Sequence, residues 1–168
     1  MSDQSNLALL VLRLVLGLFL AYHGYNKFFG GGRITGTARW FASIGFRAPS
    51  LQALLAATTE VGAGVLLAAG LLTPLAAAAV ISVMIVAIVS SHWKVGFFIF
   101  KDGGGWEYCA SIAVAAFAIG TIGAGEWSLD RALDIGFDGW DGAIVTGAVG
   151  VGGALAQLLV FYRPKAST

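Results

Sequence analysis

The sequence predicts an all-α fold, a polytopic membrane helix bundle of five spans with no water-soluble domain. Three observations predict it. Of 168 residues, 58% are apolar and only 11% are charged, whereas a soluble domain carries about 25% charged residues. Too few polar groups are available to cover a globular surface, so lipid is the solvent on most faces. The apolar residues fall into runs near the roughly 20 residues that cross a hydrocarbon layer. The 24 glycines lack the three-residue period of collagen and suit close helix packing in lipid.

Each element follows in order. Met1 to Asn6 is polar and lacks the basic n-region of a signal peptide, and no convincing small-x-small cleavage site follows. The first apolar stretch, about residues 7–29, is therefore expected to remain as a helix. Arg13 and His23 interrupt it, and Gly30-Gly31-Gly32 ends it. The segment 33–49 mixes Arg33, Arg39 and Arg47 with Trp40, Phe41, Ile44 and Phe46. It is too short to span and reads as an interfacial or re-entrant helix near the headgroups.

From Val61 to Trp93 no residue carries a formal charge, and Thr73-Pro74 sits near the middle. That run is too long for one helix, and Pro is well tolerated at a first helical position. A hairpin of two spans, about 50–72 and 74–93, accounts for it. The glycine-rich loop Lys94–Gly105 follows, then a fourth span over about 106–123. Gly103-Gly104-Gly105 is no phosphate cradle, because no strand precedes it. The acidic loop Glu126–Asp141 leads to a last uncharged span, about 142–162, ended by Arg163-Pro164-Lys165. Thr146, Gly150, Gly153 and Ala154 form a small-residue stripe on that span, fit for docking on the bundle or on a partner subunit.

Charge placement tests the count. Five spans put Lys27, Arg33, Arg39, Arg47, Lys94, Lys101, Arg163 and Lys165 on one side, against Arg13 and Arg131 on the other. Positive loops stay cytoplasmic, so the N-terminus is expected outside and the C-terminus in the cytoplasm. Four spans would move Arg163 and Lys165 to the positive-poor side. The five tryptophans, Trp40, Trp93, Trp106, Trp127 and Trp140, fall at span ends or in loops, where aromatic belts form.

Ionisable groups within spans cost at least ~2.5 kcal/mol each on insertion scales and call for an explanation. They are Arg13, His23, Lys27, Glu60 and His92, with Glu107 opening the fourth span. Helical rise puts Arg13 roughly 9 Å inside the outer edge and Glu60 roughly 15 Å from the inner one. His23, His92 and Glu107 share a level near the cytoplasmic side. Glu60 thus comes within vertical reach of Arg13 from one side and His23 from the other. Two readings compete: a buried ion pair joining the first two spans, or a carboxylate used in proton transfer or quinone binding. His23 and His92 raise axial haem ligation, but their helix-end positions and the neighbouring Lys27 favour a quinone or polar headgroup pocket, or plain helix-end packing. The lone Cys109, with no His-x₃-His or Glu-x-x-His spacing, argues for no metal and no redox pair. The net charge of +1 implies no nucleic-acid partner.

At these residues a family resemblance enters. Leu12-Arg13-Leu14, Leu16-Gly17, His23-Gly24 and Lys27-Phe28-Phe29-Gly30 resemble the opening helix of DoxX-type membrane proteins. Glu60-Val61-Gly62, Gly70-Leu71-Leu72-Thr73, His92, Gly96-Phe97-Phe98, Gly104-Gly105-Trp106-Glu107-Tyr108 and Ser128-Leu129-Asp130 continue in the family's order. The resemblance implies a four-helix DoxX-like core with an appended C-terminal transmembrane helix, in a bacterial-type inner (plasma) membrane. It also implies a setting near thiosulfate:quinone-type or other respiratory redox chemistry, with Arg13, His23, Lys27, Glu60, His92 and Glu107 on the family's polar positions. No catalytic mechanism comes with it.

Three functions remain, in this order. The first is an accessory subunit of a membrane oxidoreductase or respiratory complex, with protein partners and lipid around it. The second is a quinone-reactive component that receives electrons from a partner. The third is a lipid or small-solute carrier, weakened by the lack of an inverted repeat. A stand-alone enzyme lacks a nucleophile, base and orienter set.

Overall fold

The computed structural model describes residues 1–164 and consists of α-helices joined by short loops. Lys165, placed above among the basic residues of one side, lies outside the described residues. The helices are α1 (Asp3–Phe29), α2 (Arg33–Ser43), α3 (Pro49–Ala69), α4 (Thr73–Ala87), α5 (Glu107–Ile122), α6 (Leu129–Leu133) and α7 (Gly139–Phe161). A π-helical turn, Ile88–His92, extends α4.

Local chemistry sets these ends. Ser2 accepts from the Ser5 amide at 3.3 Å to open α1, and Lys27 lies in its last turn, where the helix dipole favours a cation. Pro49 opens α3. Gly70 closes it in the left-handed region at φ +64°. Its amide bonds Leu67 O, and the Leu71 amide bonds Leu66 O, the paired bonds of a Schellman end. Pro74 sits in the first turn of α4, which the hairpin reading required.

Four helices are long and apolar enough to cross a membrane: α1, α3, Thr73–His92 and α7. At 16 residues, α5 rises only about 24 Å, yet it joins the same two ends. Large apolar side chains stand exposed on its outer face and on those of α1 and α7, among them Val11, Phe19, Val114, Ile144 and Leu159. That is a lipid-facing surface, and the chain is a polytopic helical membrane protein.

The core is built from small residues. α1 runs antiparallel along α3, its most extensive partner. A methyl group on Gly17 would stand 2.5 Å from Gly64 O, and one on Gly24 would stand 2.7 Å from Ala57 O. The absent side chains are what let the two backbones meet. This register sets Arg13 opposite Gly70 and His23 opposite Glu60.

α7 docks on α4 and α5 within the same bundle, which settles the choice left open by its small-residue stripe. Gly150 lies over Ala78 O and Ile81, the Thr146 hydroxyl donates to Pro74 O at 3.1 Å, and Ala154 is fully buried. Gly153 is exposed, yet a Cβ there would stand 3.3 Å from Ser82 Oγ of α4. At one end, residues Gly45–Arg47 bond the end of α7: the Arg47 amide donates to Phe161 O, and the Arg163 amide to Gly45 O. α2 lies across this end, its Ala38 and Phe41 buried against α3 and α7.

Candidate functional site

The charged groups divide between the two ends of the bundle. At the acidic end, Arg13 is 0% exposed. Its Nη2 donates to Trp127 O at 2.6 Å, while Nε and Nη1 have no partner among the described residues. Only a glycine can face it, because a Cβ on Gly70 would collide with Nη1. Beside it, Asp130 is 3% exposed and accepts from the Leu72 and Thr73 amides at 2.6 and 2.9 Å. Leu72 offers α4 no side-chain cap, so Asp130 caps that helix from a distant part of the chain. Asn6 Oδ1 accepts from the Glu126 amide at 3.0 Å. These groups tie the 124–130 segment to α1 and to the α3–α4 turn.

At the basic end the bundle forms a partly open cavity of about 610 Å³, bounded by α1, α3, α4 and α5 and by the ends of α2 and α7. Its walls are apolar, with Leu16, Leu20, Met84 and Ile112 among them. Into these walls project Lys27 and Glu60, whose Nζ and Oε2 are 2.5 Å apart. The two groups are 21% and 8% exposed, so the pair is largely removed from solvent. Oε2 takes the lysine, which leaves Oε1 for whatever enters the cavity. α1 and α5 touch only sparsely, so helix packing does not seal the space between them.

His23 and His92 line the same cavity. His92 ends the π-helical turn, whose wider winding rotates the residues that follow it. Its Nδ1 lies 2.7 Å from Gly104 O. A carbonyl can only accept, so Nδ1 carries the proton. The segment 94–106 folds over this end. The Gly105 amide donates to Phe98 O and the Trp106 amide to Gly96 O, and a side chain on Gly105 would collide with Phe97 O and Phe98 O.

Four of the six residues singled out in the sequence meet here: His23, Lys27, Glu60 and His92. Glu107 does not line the cavity. It accepts from the Ile99 amide at 2.8 Å and pins the covering segment. Arg13 does not approach Glu60 either; its place opposite Gly70 leaves it ten residues of α1, about 15 Å, from the level of Glu60. The expected Arg13–Glu60 pair is replaced by Lys27–Glu60. Depth along the membrane normal had put Glu60 between Arg13 and His23; the glycine contacts set it level with His23.

Sequence reasoning missed Gln52 and Gln157, which hydrogen-bond across the cavity at 2.7 Å, and Tyr108 and Cys109, which line it. Gln52 had a readable signal, lying on the 52-56-60 stripe of α3 with Glu60. Among the described residues no three His, Cys, Asp or Glu side chains converge as a metal set would.

These features define a class: a small polytopic helical membrane protein with an amphipathic cavity at its basic end. The DoxX family model matches residues 8–93, which holds Lys27, Glu60, His23 and His92. The chain is also 30% identical over 126 residues to the inner membrane protein YphA of Escherichia coli (strain K12), a match covering 73% of this chain and 88% of that one. No solved structure matches. The chain belongs to the DoxX family.

Proposed function

We propose that this chain is a subunit of an inner-membrane oxidoreductase complex and that its own contribution is a binding cavity for a lipid-soluble quinone. One observation carries the reading: the cavity of about 610 Å³ is walled mainly by apolar surface and also offers the Lys27–Glu60 pair, two histidines, two glutamines and several hydroxyls. A quinone has that profile, with a flat apolar ring and tail and two carbonyl oxygens. Lipid ligands favour such sites, in which few polar groups fix orientation.

In this reading Lys27 donates to one quinone oxygen. Reduction by two electrons and two protons turns each carbonyl into a hydroxyl. Lys27 and Glu60 hold one proton at that oxygen, and the second comes from water at the open side of the cavity. A partner protein supplies the electrons, because the lining side chains bind and carry protons. The basic end faces the cytoplasm, by the excess of positive charge there, and the N-terminus lies outside.

The test is quinone titration of the purified protein, followed by tryptophan fluorescence, since Trp40 lines the cavity. A short-chain benzoquinone or naphthoquinone should saturate the signal. Lys27→Met should weaken binding about tenfold, the worth of one charge-assisted hydrogen bond. Unchanged affinity in that variant, or no saturable binding by the native chain, overturns the reading.

A further inference from the structure

Gln52 is 0% exposed and lines the cavity. Its Oε1 accepts from Gln157 Nε2 at 2.7 Å, yet its own Nε2 has no partner among the described residues. A buried amide N–H is almost always satisfied. Phe41, Val86 and Phe161 line the same cavity. The unmet donor lies on the same helix as Glu60, eight residues away, about 12 Å of rise.

We infer that Gln52 is the second pole of the cavity, donating Nε2–H to an acceptor oxygen of the ligand remote from the oxygen held by Lys27. The inference rests on the quinone reading above and deepens it, because it fixes the ligand as one with two acceptor oxygens. Gln157 is a positioning residue. By donating to Oε1 it turns the amide so that the nitrogen, and not the oxygen, faces the ligand. Gln157 belongs to α7, outside the matched residues 8–93, so the last helix completes the site. Trp40 and Phe41 of α2 and Phe161 of α7 lie at the same end of the cavity and offer flat faces to a ring.

The experiment compares two probes on the full-length protein, 1,4-naphthoquinone and its one-carbonyl analogue 1-tetralone. The native chain should prefer the dicarbonyl by about tenfold, the value of one further hydrogen bond. Gln52→Leu should abolish that preference while still binding 1-tetralone. Gln157→Leu should reduce it, because the freed amide no longer presents its nitrogen, and a purely structural role would not change the ratio of two affinities. Should Gln52→Leu fail to fold, Gln52→Leu with Gln157→Leu removes both partners together and leaves no orphan in the core. A preference that survives in Gln52→Leu or in the double variant overturns the second pole and leaves the quinone reading standing. Failure of the native chain to bind either probe overturns both.

Discussion

Arg13 and Lys27 lie on the same buried stripe of α1, with Leu9, Gly17, Leu20 and Gly24 between and beside them, yet the two cations sit in opposite surroundings. Arg13 is packed on every side and bonds a backbone carbonyl. Lys27 bonds a carboxylate on the wall of a void. Both groups meet the same cost of entering a membrane. The difference teaches that the cost alone does not mark a ligand site. A buried charge that backbone groups enclose holds the fold together, and one beside open volume is available to a ligand.

The sharpest way to break this comparison is at the enclosed end. Gly70→Ala puts a methyl group where Arg13 Nη1 lies and forces alanine into the left-handed region. Strain of about 1–2 kcal/mol adds to overpacking of about 1–3 kcal/mol. Thermal unfolding in detergent should show the largest loss of any variant here, and the surviving folded protein should bind quinone normally. A weakened quinone affinity would join Arg13 to the cavity and erase the distinction. Asp130→Asn acts at the same end on a smaller scale. It leaves one of the two amides at the start of α4 without its acceptor, a loss of about 1–3 kcal/mol, again without effect on ligand affinity.

At the open end the same measurements should separate differently. Lys27→Met leaves Glu60 without its partner and should cost about 1–2 kcal/mol, less than a fully enclosed pair because Lys27 keeps 21% exposure. Adding Glu60→Gln should recover most of that stability while quinone binding stays lost, a non-additivity expected of groups in direct contact. Recovery of binding along with stability would mean that the pair serves packing alone.

How much of this was legible before the coordinates depends on which direction the sequence encodes. Length and hydropathy mark out the long apolar helices, so the helix order, the Pro74 break and a short helix between the first two long ones could be read. They do not fix the angle around each axis or the register between helices. The expected Arg13–Glu60 pair failed for that reason: register depends on Gly17, Gly24 and Gly64, whose significance lies in what their missing side chains allow. Gln52 and Gln157 escaped notice because an uncharged amide costs little on an insertion scale and stands far from its partner in the chain. The docking of α7 could not be chosen from its stripe, since small residues look the same whether the neighbour is α4 or another subunit.

The smallest effect should come from Glu107, which the sequence placed with the cavity residues and the fold places on the covering segment. Its Oε1 accepts from the Ile99 amide at an exposed position. Glu107→Gln retains an oxygen there, so stability should change by less than about 0.5 kcal/mol, and quinone affinity should stay as it is. Glu107→Ala removes the acceptor. The Ile99 amide should then exchange its hydrogen faster, with the other bonds of the segment, Gly105 to Phe98 and Trp106 to Gly96, holding it in place. Because Ile99 lines the cavity, loosening it should speed ligand release with little change in overall stability. If Glu107→Gln itself lowered quinone affinity as much as Lys27→Met, the carboxylate would belong to the binding set after all, and the line between a group that covers the cavity and one that reads its contents would have to be redrawn.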